Sequence, residues 1–289
     1  MSDDLITIVN KEGTLQAGIN TKNGQLCSLQ VVRDGQPVEL MWGGGKPEQL
    51  KAPHEKKEAG GWQNSAIVMF PLVSQALNDR ITMDGQELSM PQHGIARYMQ
   101  PVVCKQGSTY LILAYVHNGN DVVQTPKGEV RFPRSFRLIA EYQVRQNSLD
   151  THFEVENLSA KPLPFAFGWH PAFLDLGGRV EIGHNTSTVE EITKASASAA
   201  HGAIILPGET DATYTSADGR VGVDMATQGF GNMQVWRQPS SQPVLCIEPI
   251  SALPQMKHAG EFAARQGYVS LPPGQIKAYS VKLTPIVVA

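Results

Sequence analysis

Three stretches of the sequence place an ionisable residue directly before a proline or a glycine. His170 stands in GWHPAF, Glu248 stands in VLCIEP, and His93 stands in MPQHGI. Histidine and carboxylate side chains donate and accept protons, so these residue types suit acid/base chemistry. A proline removes a ladder donor and holds the residue before it extended. We therefore expect His170 and Glu248 each to be fixed at the end of a strand.

Each of the three residues also has a purely structural interpretation. A histidine or a glutamate in a strand is often a hydrogen-bonded structural residue, and His93 before a glycine could simply cap a turn. The sequence contains no GxSxG elbow, no HExxH pair and no glycine-rich phosphate loop. A serine hydrolase or a nucleotide-binding protein therefore has no motif behind it.

The stretch LPFAFGWHPAF at residues 163–173 alternates large and small side chains. In an extended chain, alternate residues share a face. One face then carries the three aromatic residues Phe165, Phe167 and Trp169. The other face carries Ala166, Gly168 and His170, and we expect its small residues to leave room for a ligand beside the histidine.

The elements that must position these residues show a period of two. Residues 135–145 and 149–157 alternate apolar and polar side chains around a QNS turn, which predicts an antiparallel hairpin. Residues 109–116 are apolar on both faces, which predicts a strand covered on both sides. The Asp-Gly pairs at 34–35 and 84–85 predict two more hairpins.

Many short strands with regular turns predict an all-β protein, a large antiparallel β-sandwich that forms one domain over residues 1–289. Helical signals are few, and the best lies near residues 257–265. Residues 43–62 and 195–203 have the composition of loops. We expect further strands near 5–9, 25–33, 203–206, 220–225, 243–248 and 276–285.

The composition narrows the function classes. The 289 residues carry a net charge of −3 with both signs spread along the chain, which argues against a nucleic-acid surface. The three cysteines, Cys27, Cys104 and Cys246, have no zinc-binding spacing and lie in apolar strand-like stretches, so we expect buried free thiols. The sequence has no signal-peptide pattern and no run of 18 apolar residues, which predicts a cytoplasmic protein without membrane contact.

The three ionisable stretches together resemble those of the aldose 1-epimerase, or galactose mutarotase-like, superfamily. PQHGIAR at 91–97 is similar to an HGFAR-type segment of the family. ENLSAKPLPFAFGWHPAF at 156–173 is similar to a segment that ends in G-x-H-P-x-F, and CIEPISALP at 246–254 is similar to E-P-W-x-x-x-P. Because all three occur in the family's order, the resemblance extends from about residue 5 to residue 285.

The resemblance implies a β-sandwich with a sugar site on its concave face. It implies that Glu248 is the general base, that His170 is the general acid and that His93 orients the substrate. No metal or organic cofactor is implied. The expected partner is a small-molecule sugar, and the expected state is a monomer or a homodimer. We expect the other sugar contacts to come from Arg97, Gln75 and Trp169.

The sequence departs from the family at two positions, and at the first of them the arginine of many relatives contacts sugar. Relatives carry Gly-Arg after the F-P-x-V segment, where this chain has Ser74-Gln75. Arg80 or Arg97 could replace the missing arginine. Position 250 is isoleucine where relatives often have tryptophan. The preferred sugar therefore stays open.

Three functions fit these observations. The leading hypothesis is an enzyme that interconverts the α and β anomers of a hexose or a hexose phosphate, the latter needing nearby cations such as Arg97, Arg131 and Arg134. The second is a catalytically weak carbohydrate-binding or regulatory β-sandwich. The third is a polysaccharide hydrolase or lyase, which usually needs a second catalytic carboxylate.

Overall fold

The computed structural model describes residues 4–43, 64–198, 202–237 and 242–288. The first half of the chain forms strands β1 (Leu5–Val9), β2 (Leu15–Asn20), β3 (Leu26–Arg33), β4 (Gln36–Glu39), β5 (Ala66–Met69), β6 (Arg80–Met83), β7 (Gln86–Ser89), β8 (Val102–Gln106), β9 (Tyr110–His117), β10 (Val122–Thr125), β11 (Gly128–Arg131) and β12 (Phe136–Val144). The second half forms strands β13 (Leu149–Asn157), β14 (Leu163–Phe165), β15 (Gly168–Leu174), β16 (Arg179–Ile182), β17 (Asn185–Thr188), β18 (Ile204–Pro207), β19 (Ala212–Thr215), β20 (Val221–Gln228), β21 (Asn232–Arg237), β22 (Val244–Ile250), β23 (Val269–Leu271) and β24 (Ile276–Val287).

Two large antiparallel sheets dominate the fold. The first has nine strands in the order β17-β16-β19-β20-β24-β13-β12-β9-β8, and the second has five in the order β18-β21-β22-β15-β5. Strands β1 to β4 form a four-stranded sheet, and the pairs β6-β7, β10-β11 and β14-β23 form small ribbons. The predicted all-β antiparallel sandwich is confirmed. The prediction of one domain over residues 1–289 stays a prediction.

Turn chemistry explains the predicted hairpins. Asp34 and Gly35 both have positive φ and connect β3 to β4, and Asp84 and Gly85 do the same between β6 and β7. Both central residues at positive φ give the turn type that matches the right-handed twist of paired strands. The hairpin of β12 and β13 closes with Val144 opposite Leu149, as the alternation predicts.

Aromatic side chains fill the space between the two large sheets. Trp169 of β15 packs against Phe153 of β13, with ring centroids 5.8 Å apart. Phe167 stacks on Tyr279 of β24 at 4.5 Å. All four side chains are buried. Burial of such large apolar surfaces contributes about 25 cal/mol per Å², which makes this layer a main source of stability.

The main helix lies outside the stretch that the sequence favours. Helix α1 spans Val189–Ser198, where the sequence predicted a loop from residue 195 onward, and residues 257–265 contain only a short 3-10 helix at Phe262–Ala264. The signal for α1 is a capping box, because Thr188 Oγ1 accepts from the Glu191 amide while the Glu191 carboxylate accepts from the Thr188 amide. The helix prediction at 257–265 was wrong because its pattern lacks such a start.

Three further expectations need correction or fall elsewhere. Strand β9 buries one face fully, but its other face is covered only in part, because Ala114 is buried there and Val116 is exposed. Cys27 and Cys246 are buried, whereas Cys104 is exposed on the edge strand β8. The predicted loop at 43–62 lies outside the described residues from position 44 onward.

None of the described helices has the length and apolar character needed to span a membrane.

Candidate active site

His170 and Glu248 lie side by side on adjacent strands of the five-stranded sheet. Strands β15 and β22 pair Gly168 with Ile250 and Ala172 with Cys246, so the register sets residue 170 opposite residue 248. His170 Nε2 is 3.4 Å from Glu248 Oε1. Both side chains are buried, with 3 % of His170 and 0 % of Glu248 exposed. The structure therefore brings together the two residues that the sequence singled out.

The prolines after these residues do not end the strands. Strand β15 continues through Pro171 to Leu174, and β22 continues through Pro249 to Ile250, so that expectation was wrong. The described pairing of β15 with β22 is interrupted between Gly168 and Ala172, which is where both prolines fall. A proline lacks the N–H that a ladder requires, so an interrupted ladder accommodates it within a central strand.

Gln234 on β21 is a third member of the same row, and the sequence did not indicate it. It pairs with Glu248 in the sheet, and its Nε2 donates a 3.0 Å hydrogen bond to Glu248 Oε2. This bond holds one carboxylate oxygen and leaves Oε1 turned toward His170. The sequence carried one signal for this residue, because Gln234 is a polar residue between the apolar residues Met233 and Val235, which are both buried.

His93 approaches the pair from a separate segment. Its ring meets that of His170 edge to face, with centroids 5.3 Å apart. Its Nδ1 accepts a 3.2 Å hydrogen bond from the Ser74 amide, which assigns the proton of the neutral ring to Nε2. His93 has φ +64, and the next residue, Gly94, has φ +74. A Cβ on Gly94 would lie 2.2 Å from the Phe70 carbonyl oxygen, so only glycine permits this approach.

Arg97 places a buried positive charge near His170. The side chain is 7 % exposed, and its guanidinium lies 5.2 Å from the centroid of the Tyr98 ring. Among the described residues, no carboxylate or carbonyl forms an ion pair or a hydrogen bond with it. Burial lowers the pKa of Arg97 from its ordinary value. Arg134, another predicted cation, is instead engaged by Asp84 at 2.9 Å, and Arg131 donates to the Asn120 carbonyl.

Burial sets the protonation of the pair. Burial raises the pKa of Glu248 to about 8, with the Gln234 hydrogen bond opposing the shift. Burial also lowers the pKa of His170 to about 3, and the charge of Arg97 adds to this effect. At neutral pH the pair therefore holds one proton, on the carboxyl group. A general acid starts from the protonated histidine, which a neighbouring carboxylate favours, but loss of solvation outweighs that attraction here.

The space expected beside His170 at its small neighbours is filled. A Cβ on Gly168 would lie 2.5 Å from Met69 Cε and 3.2 Å from Ile250 Cγ2. Ala166 belongs to a buried apolar cluster that also contains Met69 and Ile250. The small residues therefore admit neighbouring apolar side chains rather than a ligand, and this expectation is corrected.

Two predicted sugar contacts point elsewhere. Trp169 is fully buried in the core between the sheets and packs on Phe153, on the face opposite to His170, which argues against the predicted sugar contact. The alternation of a strand forces this, because neighbouring residues face opposite sides. Gln75 donates a 2.9 Å hydrogen bond to Asp79 Oδ1, so its amide is engaged by a carboxylate outside the pair.

Two tryptophans lie beside the acid/base pair, next to Ala172 and Cys246. Trp236 pairs with Cys246 in the sheet, and its ring centroid is 6.4 Å from that of His170. Trp236 and Trp42 are half-buried and pack against Ala172 and Cys246. Half-exposed aromatic rings beside polar groups are typical of small-molecule sites.

Comparison with known proteins agrees with this architecture. The aldose 1-epimerase family model matches residues 4–196, which include His93 and His170 but not Glu248. No curated protein matches the sequence. The placement of Glu248 beside His170 is therefore an observation of the structure, independent of the matched segment.

Several solved structures share the fold over nearly the whole chain. A galactose mutarotase-like protein from Lactobacillus casei is 21 % identical with a TM-score of 0.77, covering 97 % of this chain and 99 % of its own. A galactose mutarotase related enzyme from Lactobacillus acidophilus is 19 % identical with a TM-score of 0.78, covering 99 % and 98 %. An aldose epimerase homologue from C. elegans is 14 % identical with a TM-score of 0.66, covering 99 % of each chain. The family model matches two thirds of this chain, and the shared fold agrees with that match. The chain belongs to the aldose 1-epimerase family.

Proposed function

We propose that the protein interconverts the α and β anomers of a hexose, with Glu248 and His170 as its acid/base pair. The observation that carries the proposal is the 3.4 Å separation of His170 Nε2 and Glu248 Oε1 on one face of the five-stranded sheet. A buried imidazole and a buried carboxyl at this distance handle protons on two oxygens of one small molecule. Membership of the aldose 1-epimerase family supports the same reaction.

Mutarotation needs two proton transfers and no net change. A base removes the proton of the anomeric hydroxyl, and an acid delivers a proton to the ring oxygen as the C1–O5 bond breaks. The open-chain aldehyde rotates about C1–C2 and closes with the proton movements reversed. In the ring-opening direction we assign the base to Glu248 and the acid to His170. The single proton of the pair then passes from one residue to the other through the sugar.

The proton position in the free pair corresponds to one stage of this cycle. A neutral carboxyl and a neutral imidazole, as burial favours here, are what remains after Glu248 has taken a proton and His170 has given one. Ring closure starts from that state. Ring opening starts from the charged form, so it depends on sugar hydroxyls that donate to the carboxylate and accept from the imidazolium.

The near-complete burial of the pair sets a condition on binding. With 3 % of His170 and 0 % of Glu248 exposed, a sugar that contacts both must displace the groups that cover them. A site buried in this way would exclude water from the open-chain aldehyde once the sugar is bound.

Arg97 is the described residue that bears on the choice between a hexose and a hexose phosphate. Phosphate sites commonly use several cations, and Arg134 is already engaged by Asp84. One buried guanidinium is enough to hydrogen-bond sugar hydroxyls, so a free hexose is the preferred substrate in this proposal. Testing glucose beside glucose 6-phosphate separates the two.

Polarimetry or exchange NMR on freshly dissolved α-glucose, α-galactose and glucose 6-phosphate tests the proposal. After subtraction of the spontaneous rate, we expect wild type to accelerate anomer exchange on at least one sugar. Glu248→Gln and His170→Asn should each lower kcat/KM by at least about 10²-fold, the usual contribution of a positioned acid or base. Wild type without acceleration on any aldose, but with sugar binding, would instead identify a carbohydrate-binding protein.

A further inference from the structure

Cys246 adds a third metal-binding side chain to the acid/base pair. It lies two residues before Glu248 on β22, so both side chains emerge on the same face of the sheet. One ligand atom each from His170, Cys246 and Glu248 lie within 4.8 Å of one another, and all three residues are buried. The mutarotation chemistry described above uses the histidine and the glutamate but has no role for the thiol.

We propose that His170, Cys246 and Glu248 form a Zn²⁺ site whose occupancy inactivates the protein. The ion would take one imidazole nitrogen, the thiolate and one carboxylate oxygen, and a water molecule would complete the four ligands. Binding of the ion stands on the side-chain cluster alone. Its inhibitory effect rests on the proposed function, because the ion would engage both members of the acid/base pair.

The distances are close to those that zinc requires. Tetrahedral zinc with ordinary bond lengths sets its nitrogen and oxygen ligands about 3.4 Å apart, and its sulfur about 3.6 Å from either. The His170 Nε2 to Glu248 Oε1 distance is 3.4 Å. One ligand atom from each of the three residues lies within 4.8 Å of the other two, so side-chain shifts of about 1 Å would bring the sulfur to bonding distance.

The neighbours of the cluster support a metal-bound carboxylate. Gln234 donates to Glu248 Oε2, and no described residue donates a hydrogen bond to Oε1. Polar groups that hold the second oxygen of a ligand carboxylate orient it toward the metal. An ion at Oε1 would take the place of the carboxyl proton and give a partner to a buried oxygen that accepts no hydrogen bond from the described residues.

Charge and ligand type favour zinc over magnesium or calcium. A thiolate and an imidazole are ligands of zinc, whereas magnesium and calcium prefer oxygen alone. The thiolate and the carboxylate together neutralise a divalent ion, and the protons of the two groups leave to solvent when it binds. The positive charge of Arg97 opposes binding, but it is one charge against two anionic ligands.

Cobalt absorption spectroscopy with zinc competition tests the site without any measurement of activity. Co²⁺ added to wild type should give a thiolate-to-metal absorption band, and Zn²⁺ should abolish it. The same titration is run on Cys246→Ser, on Glu248→Gln and on the control Cys104→Ser, which removes the exposed thiol of β8. Near-ultraviolet circular dichroism checks that each variant is folded.

We expect Cys104→Ser to behave as wild type, Cys246→Ser to lose the thiolate band, and Glu248→Gln to keep the band with affinity at least about tenfold weaker. Inhibition of mutarotation by Zn²⁺ should weaken at least about tenfold in Cys246→Ser relative to Cys104→Ser, each referred to its own metal-free rate. A thiolate band that persists in Cys246→Ser, or that is lost in Cys104→Ser, overturns the site. Metal binding in a protein inactive on every sugar would leave the site standing and remove the proposed function.

Discussion

His170 and Glu248 show how burial decides which member of an acid/base pair carries the proton. A surface pair of this kind at neutral pH would be a carboxylate beside a partly protonated imidazole. In this protein both groups have lost their solvation, so the neutral forms are favoured over the charged ones. The pair therefore keeps one proton across a wide range of pH, which suits a reaction that moves a single proton in and out.

The pH dependence of mutarotation follows from this proton count. With the pKa of Glu248 at about 8 and that of His170 at about 3, the pair carries one proton between these values. We expect kcat/KM to stay level from about pH 5 to 7 and to fall above about pH 8 as the proton is lost. Polarimetry at constant ionic strength measures this profile. A rate that continues to rise through pH 9 would contradict the assigned state.

The stability of the protein should carry the same signature. The folded-state pKa of Glu248 lies above its ordinary value, so its contribution to stability is present at low pH and is lost as pH rises through about 8. Glu248→Gln does not titrate, so its free energy of unfolding relative to wild type should increase from pH 4.5 to 8. Urea unfolding at several pH values measures the difference. Glu12→Gln, the same change on the exposed surface, is the matched control.

At the scale of elements, the site is held by close backbone contact as well as by strands. The segment of His93 docks on the chain after β5, where the Phe70 amide donates to the His93 carbonyl and the Ile95 amide donates to the Phe70 carbonyl. Gly94 stands at the point of nearest approach. The edge-to-face contact of His93 with His170 depends on this docking.

Gly94→Ala should be far more damaging than a matched glycine substitution elsewhere. Gly85 has φ +75 with open space around its Cβ position, so Gly85→Ala should lower the free energy of unfolding through conformational strain alone, by about 1 kcal/mol. Gly94 has φ +74, but its Cβ would meet backbone atoms at 2.2 Å, so we expect a loss of at least about 3 kcal/mol. Urea unfolding compares the two variants. Equal losses would show that the close approach is not a constraint.

At the scale of the whole molecule, Trp169 connects the two large sheets behind the site. It belongs to the strand of His170 but contacts Phe153 in the nine-stranded sheet. The five-stranded sheet thus presents polar site residues on one face and core aromatics on the other. The structural relatives share this arrangement of sheets over nearly their full length.

Trp169→Phe distinguishes a core residue from a sugar contact. We expect the free energy of unfolding to fall by about 1–3 kcal/mol, because the smaller ring leaves packing unfilled. The KM for the preferred sugar should stay unchanged. Phe153→Leu, on the facing sheet, is the matched control and should show the same combination. A raised KM with unchanged stability would return Trp169 to the sugar site.

The sequence by itself determined the local features of this protein. Alternation along residues 135–157 predicted β12 and β13, because periodicity is a property of neighbouring residues. The Asp-Gly pairs predicted the β3–β4 and β6–β7 hairpins, because positive φ is also a local property. The motifs around His93, His170 and Glu248 identified the candidate residues and the family. Helix α1 was also readable in principle, since its capping box lies in the sequence at Thr188 and Glu191.

Only the tertiary structure decided how those residues meet. The register that sets His170 beside Glu248 joins strands about 80 residues apart, and no local pattern specifies which strands pair. The filling of the space at Gly168 by Met69, the hydrogen bond from Gln234 and the placement of Cys246 follow from that pairing. The location of the proton on Glu248 rather than on His170 follows as well. Solvation depends on everything packed around a side chain rather than on its neighbours in the sequence.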